Sequence, residues 1–420
     1  MVDHHGEHLR EAVMNDRSIV LTGATVLVGE ALEPHGDAVV VVEHGRVTAV
    51  GPDAPVPPRA RVLDLTGHTV LPGLVDAHVH LGAPESERGG GPRPPARTRA
   101  VADWFRFQPR KRRGFLRHGV TTVCSLGDEN AWVHDFRRRA ARGTLTGPRL
   151  LIAGPLFTAP GGHPVATVGA SPDDDWVRVP RGPEQARAQV AALVTGEDPV
   201  DLVKAVHDRG DPRRRSLEPL DPRVLAAIVD EAHRHGTRVA AHWGSLADLE
   251  ELLEAGVDHL HHLEARGPLD GWPEDLLAEA VRRGVTLTPP LAVTETVRDT
   301  RVTAALCERA GEFADAGGTL LAGSDAGMPS VHAGSGLLRE VELLAACGLT
   351  PRRALVAATS APARALGALD VGAVAPGRAA DLVAVRGDPL SDLGALRRVA
   401  AVLRGGRVVV NRIRNRERTR

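Results

Sequence analysis

The sequence predicts an α/β protein: a (β/α)8 TIM-like barrel carrying a small β-sandwich formed by the N- and C-terminal segments. Two observations predict it. Between residues 73 and 375, apolar strand-like runs alternate with stretches of helical periodicity, and the alternation repeats eight times. Both flanks lack that rhythm and consist of β-branched runs punctuated by glycine. A doubly wound open sheet is the structural alternative. No GxGxxG or GxxxxGK[ST] follows a first strand, which counts against a nucleotide-binding version.

The elements follow in order. Residues 1–18 read as a polar tail. SIVLTGATVLVG, GDAVVVVEHGRVTAVG and ARVLDLTGHTVLPG give the first part of the sandwich, residues 19–72. The eight barrel strands are VDAHVHL, GVTTVCSL, PRLLIAG, VDLVKAV, TRVAAHW, VDHLHHL, GVTLTPP and GTLLAGSD. Among the intervening helices, PEQARAQVAALV, DPRVLAAIVDEAHRHG and SLADLEELLEAG carry an N-terminal acid or cap, and two of them end in glycine. PESERGGGPRPPART, residues 84–98, reads as a mobile loop over the barrel mouth. GRAADLVAVRG and RRVAAVLRGGRVVVN close the sandwich over residues 376–412, and 413–420 is a basic tail.

Composition narrows the function. Of 420 residues, 42% are hydrophobic and 25% charged, so a large core is available and global disorder is excluded. A formal net charge of −1 gives no bulk attraction to nucleic acid or to an anionic membrane, and no window holds 18 apolar residues. Three separated cysteines, Cys124, Cys307 and Cys347, argue against a disulfide framework and for a reducing, cytoplasmic setting. Arginine is used 50 times and lysine only at Lys111 and Lys204. A lysine retained within an apolar run is therefore informative.

In a barrel of this type, functional groups sit at the C-terminal ends of the strands. Strand 1 ends in His78-Val79-His80, whose imidazoles share one side of a strand. Strand 4 carries Lys204 among apolar neighbours, where a charged ammonium is costly. Strand 5 ends in His242, strand 6 in His259, His261 and His262, and strand 8 in Asp325. Histidine and aspartate are ligands for a divalent metal, zinc above all, which makes hydroxide available at neutral pH. The residues alone thus point to metal-assisted hydrolysis. They leave Lys204 unexplained, because an ammonium repels a cation.

LPGLVDAHVHLG resembles the HxH signature of the metal-dependent amidohydrolase superfamily. HGVTTVCSLGD, GPRLLIAGPLFTAPGGH, VDLVKAV, LEAGVDHLHHLE, GSDAGMPSVHAGSGLLREVELL and TSAPARALGALDVGAVAPGRAADLVAVRGDPL follow in the family's order, from about residue 19 to 410. They are most similar to the branch of imidazolonepropionase-like hydrolases and Xaa-Pro or Xaa-Arg dipeptidases. The resemblance implies two divalent metal ions, zinc by expectation. His78 and His80 would hold the more buried ion with Asp325, and His242 and His262 the second. Lys204 would be carboxylated by CO2 and bridge the pair. His262 is the match on strand 6, and His261 takes the place of the family's usual glutamate. Asp325 would act as general base toward a metal-bridging hydroxide and then protonate the leaving group. His163, in PGGH, would contact substrate or oxyanion.

The expected activity is hydrolysis of an amide, peptide-like or cyclic amide bond in a small molecule, by a chain with no nucleic acid or membrane partner and open to homo-oligomerisation. Two other readings stand beside it. A mononuclear deaminase would need the HxH pair, a strand-5 histidine and Asp325 but not Lys204. A non-catalytic barrel would normally have lost a ligand. The sequence also departs from the family. It contains no tyrosine, Trp243 follows His242 where small residues are usual, and His207-Asp208-Arg209-Gly210 replaces a Gly-Gly after the lysine. Arg209 and the run Arg213–Arg215 could meet a substrate carboxylate or form a solvated surface.

Overall fold

The computed structural model describes residues 18–82, 108–211, 214–263, 271–297 and 300–413. The 84–98 insert, Arg213 and nearly all of both tails lie outside them. The described residues open with five strands: β1 (Ile19–Val28), β2 (Glu33–Glu43), β3 (Arg46–Gly51), β4 (Arg61–Asp64) and β5 (His68–Pro72). β1 and β2 pair antiparallel, while β4 and β5 run parallel to β1. These are the β-branched runs that fit a pleated surface.

A parallel α/β body follows. β6 (Leu74–Val79), β7 (Val120–Ser125) and β8 (Arg149–Ile152) form a three-stranded sheet. A seven-stranded sheet continues with β9 (Leu156–Phe157), β10 (Val177–Arg178) and β11 (Leu202–Val206). The hairpin β12 (Gly210–Asp211) and β13 (Arg215–Ser216) precedes its remaining strands, β14 (Arg238–His242), β15 (His259–His261), β16 (Thr286–Thr288) and β17 (Thr319–Leu320). The eight anticipated runs are thus strands, and the short β9 and β10 are an addition between the third and fourth. Hydrogen bonds pass between the two sheets. Asp201 N donates to Ile152 O at 2.8 Å, and Ala77 N donates to Ala322 O at 2.9 Å.

The helices between these strands have local causes. Pro222–Arg234 starts at Asp221, whose side chain accepts from Arg223 N, with Pro222 in the first turn. Val224, Leu225, Ile228, Val229 and Ala232 form its buried face. Leu246–Ala255 is capped by Ser245 and stopped by Gly256, which takes φ 85°. Pro183–Val194 has the bounds its periodicity predicts.

The described residues end in β18 (Leu382–Arg386), β19 (Val399–Arg404) and β20 (Arg407–Asn411), which join β5 so that segments from both ends of the chain build one eight-stranded sheet. The sheet is covered on both sides. Leu21, Val26, Val40, Val70, Leu382 and Leu403 gather in a core of its own. Leu27, Leu71, Val383, Val385 and Val402 belong to the main core instead.

One expectation is corrected. Cys307 and Cys347 form a disulfide, against the reading of three unconnected cysteines. Cys307 lies in the helix Thr300–Asp315 and Cys347 caps the helix Ser335–Ala346. Packing of the two helices brings the Cα atoms to 4.9 Å, a bridgeable separation. A separation of 40 positions hides this in the sequence. Cys124 is buried and unbridged.

Candidate metal centre

The site begins with the junction between β6 and the segment after β17. Asp325 N donates to His78 O at 2.8 Å, and His80 N donates to Ala326 O at 2.8 Å. These bonds bring the end of strand 1 alongside Asp325, although nearly 250 positions separate them in the chain. The approach is close: a Cβ on Gly323 would lie 2.8 Å from the His78 Cβ and 2.5 Å from Thr288 Cγ2, so only glycine fits. Asp325 takes φ 58° and His262 takes φ 72°, left-handed conformations that cost a non-glycine residue about 1–3 kcal/mol. Two of the anticipated ligands are therefore held in strained backbone, a frequent condition at functional sites.

His78 Nε2 and His80 Nε2 lie 3.3 Å apart. Asp325 Oδ1 is 3.3 Å from the His80 nitrogen and 3.6 Å from that of His78. Tetrahedral zinc with bonds of about 2.0–2.1 Å sets its ligand atoms roughly 3.3 Å apart. The three side chains thus have the spacing of one face of a coordination shell. Ligand atoms of His78, His262 and Asp325 also lie within 4.8 Å of one another. The His262 ring is 4.9 Å from that of His78 and 4.5 Å from that of His242. His262 therefore connects the His78–His80–Asp325 group to His242.

His163 stacks on His242 with ring centroids 5.5 Å apart, and its Nδ1 is 2.5 Å from Thr167 Oγ1. His261 stands behind His78, with the two Nδ1 atoms 3.2 Å apart. Burial pushes both of these imidazoles well below the ordinary histidine value, which favours the neutral form that a metal-binding histidine needs. His259 points away to Thr286 Oγ1, at 2.8 Å, and takes no part in the cluster.

Lys204 is 3% exposed in the middle of β11, and its Nζ has no hydrogen-bond partner among the described residues. Burial pushes its pKa down to about 7, with Asp325 opposing the shift. Its charge is felt at His78, His261 and His262.

The structure separates the remaining candidates. Arg209 is committed to Asp248 and Glu251. Arg214 reaches Asp211 at 3.8 Å, and Arg215 is exposed. Trp243 is buried in the main core, 6.2 Å from the Trp272 ring.

Sequence reasoning missed the groups that hold the site in place. Asp76 accepts from Ser324 N at 2.9 Å and from Ser324 Oγ at 2.6 Å, tying strand 1 to the residue before Asp325. Burial nevertheless raises its pKa to about 7. Asp128 accepts from Leu81 N and Gly82 N at 2.9 and 2.7 Å, and Lys111 Nζ donates to Leu81 O at 2.9 Å. These two fix the segment just after His80. Asp128 follows an apolar run, as Asp325 does, so the rule that found one could have found the other.

Residues 69–409 match the amidohydrolase family. The chain belongs to that family. It is a hydrolase acting on carbon–nitrogen bonds, with a TIM-barrel-like fold. The imidazolonepropionase of Salinispora arenicola is 29% identical over 372 residues, covering 83% of this chain and 85% of that one. A phenylurea hydrolase B structure is 25% identical with a TM-score of 0.76, covering 94% of this chain and 97% of that one. A Xaa-Pro dipeptidase structure with bound methionine superposes with a TM-score of 0.78 at 22% identity, covering 93% of this chain and 99% of that one, a likeness of fold.

Proposed function

We propose that this amidohydrolase is binuclear and hydrolyses an amide, peptide-like or cyclic amide bond of a small molecule. The observation that carries the reading is Lys204. A buried amine without a hydrogen-bond partner among the described residues, set beside imidazoles and an aspartate, is a poor structural element. It is a good precursor of a carbamate. The neutral amine adds to CO2, an N–C bond forms, one proton leaves, and a single negative charge is shared by the two oxygens. The mononuclear deaminase reading gives Lys204 no task.

In this reading His78, His80 and Asp325 would hold one ion, His242 and His262 the other, and carboxylated Lys204 would serve both. Bound zinc would supply Lewis acidity at the scissile carbonyl and lower the pKa of water to about 7. Asp325 accepts the proton of the attacking water and passes it to the leaving nitrogen. His163, beside His242, contacts the substrate carbonyl oxygen as charge develops on it. We also read the two parallel sheets as one closed barrel, residues 73–375. The end sheet, 19–72 with 376–412, is then a sandwich folded over its own core. The bonds between the sheets and the separate core of the end sheet support this.

The test is metal dependence on a substrate panel of N-acyl amino acids, dipeptides and cyclic amides. Chelation should abolish turnover, and Zn2+, Mn2+ or Co2+ should restore it. Full turnover by protein shown metal-free by elemental analysis would reject the mechanism.

A further inference from the structure

His242 leaves one question open: which of its nitrogens faces an ion. Its Nε2 lies 3.2 Å from Asp208 Oδ2. Asp208 follows β11, four residues after Lys204, and is 1% exposed. Its other oxygen, Oδ1, accepts from Gly210 N at 2.7 Å. Both carboxylate oxygens thus have defined contacts. A metal-binding histidine characteristically donates its second ring N–H to a carboxylate, which fixes the tautomer and turns the other nitrogen to the ion.

We infer that Asp208 is a positioning residue that holds His242 by Nε2–H and presents Nδ1 to the second ion. The inference rests on the binuclear reading for the word "second" only.

The surroundings of Asp208 agree with that task. Arg209 binds Asp248 and Glu251, and His207 Nε2 is 2.6 Å from Glu251 Oε2. Asp248 Oδ2 also accepts from Ser245 Oγ at 2.7 Å and from Gly244 N at 3.3 Å. One network therefore joins the loop carrying Asp208 to the loop that follows His242. Gly210 makes the turn with φ +70°, where a Cβ would lie 2.3 Å from Arg215 O. The relative placement of the carboxylate and the imidazole is built into two loops at once. This also gives the His207-Asp208-Arg209-Gly210 departure a purpose: Asp208 meets His242, while its neighbours His207 and Arg209 anchor the same loop to Glu251 and Asp248.

Zinc titration against a competing chelator, on the wild-type chain and on Asp208→Ala and Asp208→Asn, tests the inference without a substrate. Removing a group that orients a metal-ligating histidine typically costs 10–100-fold in metal affinity. Asp208→Ala should weaken the His242 site by that factor and leave the His78–His80–Asp325 site unchanged. Asp208→Asn keeps an oxygen that accepts Nε2–H, so it should recover most of the loss. Wild-type affinity in Asp208→Ala would overturn the inference. So would Asp208→Asn as weak as Asp208→Ala, because that marks a direct ligand, for which the negative charge is essential. A wild-type chain that binds a single ion would overturn the binuclear reading instead. The same two variants would then report on Asp208 at that one site, where an unaltered affinity in Asp208→Ala again rejects its role.

Discussion

At the scale of the residue, Lys204 and Asp325 carry the most weight. Deleting the Lys204 side chain removes a buried polar group with no hydrogen-bond partner among the described residues, so the fold should survive. If the carbamate bridges two ions, Lys204→Ala should lose most bound metal and turnover. Acetate or propionate should partly restore both by filling the vacated bridge. Lys204→Arg should resist this rescue, since guanidinium keeps its charge and fills the space. Elemental analysis with and without carboxylate reads the outcome, and two retained ions with normal turnover would reject the bridge. Asp325→Asn preserves the shape of the side chain but not its basicity. A positioned acid/base contributes about 10²–10⁴-fold in rate, and kcat should fall by at least that order while circular dichroism stays native.

At the scale of the element, the strand ends matter more than the strands. The backbone bonds between β6 and the segment after β17 set His78 against Asp325, and buried Asp76 repeats the link through Ser324. Asp128 performs the corresponding task one step later, below His80. Asp128→Ala would strip the acceptor from the buried amide of Leu81, at a cost on the order of 1–3 kcal/mol. It should also loosen His80. A lower denaturant midpoint together with weaker zinc binding is the expected pair of results. A lower midpoint with unchanged zinc affinity would limit Asp128 to a structural role.

At the scale of the whole molecule, the two ends of the chain are one unit. β18 is hydrogen-bonded between β5 and β19, and Val383, Val385 and Val402 pack into the main core. Removing residues 376–420 would leave β5 an open edge and uncover that apolar face, conditions that favour aggregation. The truncated chain should be insoluble or lack a cooperative thermal transition in circular dichroism. A soluble, cooperatively melting truncation would show that the α/β body needs no cover.

The sequence by itself determined the strand–helix rhythm, the β character of both ends, and which polar residues stand at strand ends. Periodicity and strand alternation are local, and they place His78, His80, His242, His262 and Asp325 without knowledge of any contact. The isolation of Lys204 in an apolar run was equally legible. Only the tertiary structure decided which of these side chains meet: His163 with His242, His261 behind His78, and His259 turned away to Thr286. It also decided that Cys307 joins Cys347, that Arg209 is occupied by Asp248 and Glu251, that Asp76 and Asp128 hold the segments around His78 and His80, and that Asp208 meets His242. The physical reason is common to all of them. Hydrogen bonds, ion pairs and disulfides depend on distances of a few ångströms between residues tens or hundreds of positions apart, and such distances are set by the packing of whole elements, which no local pattern records.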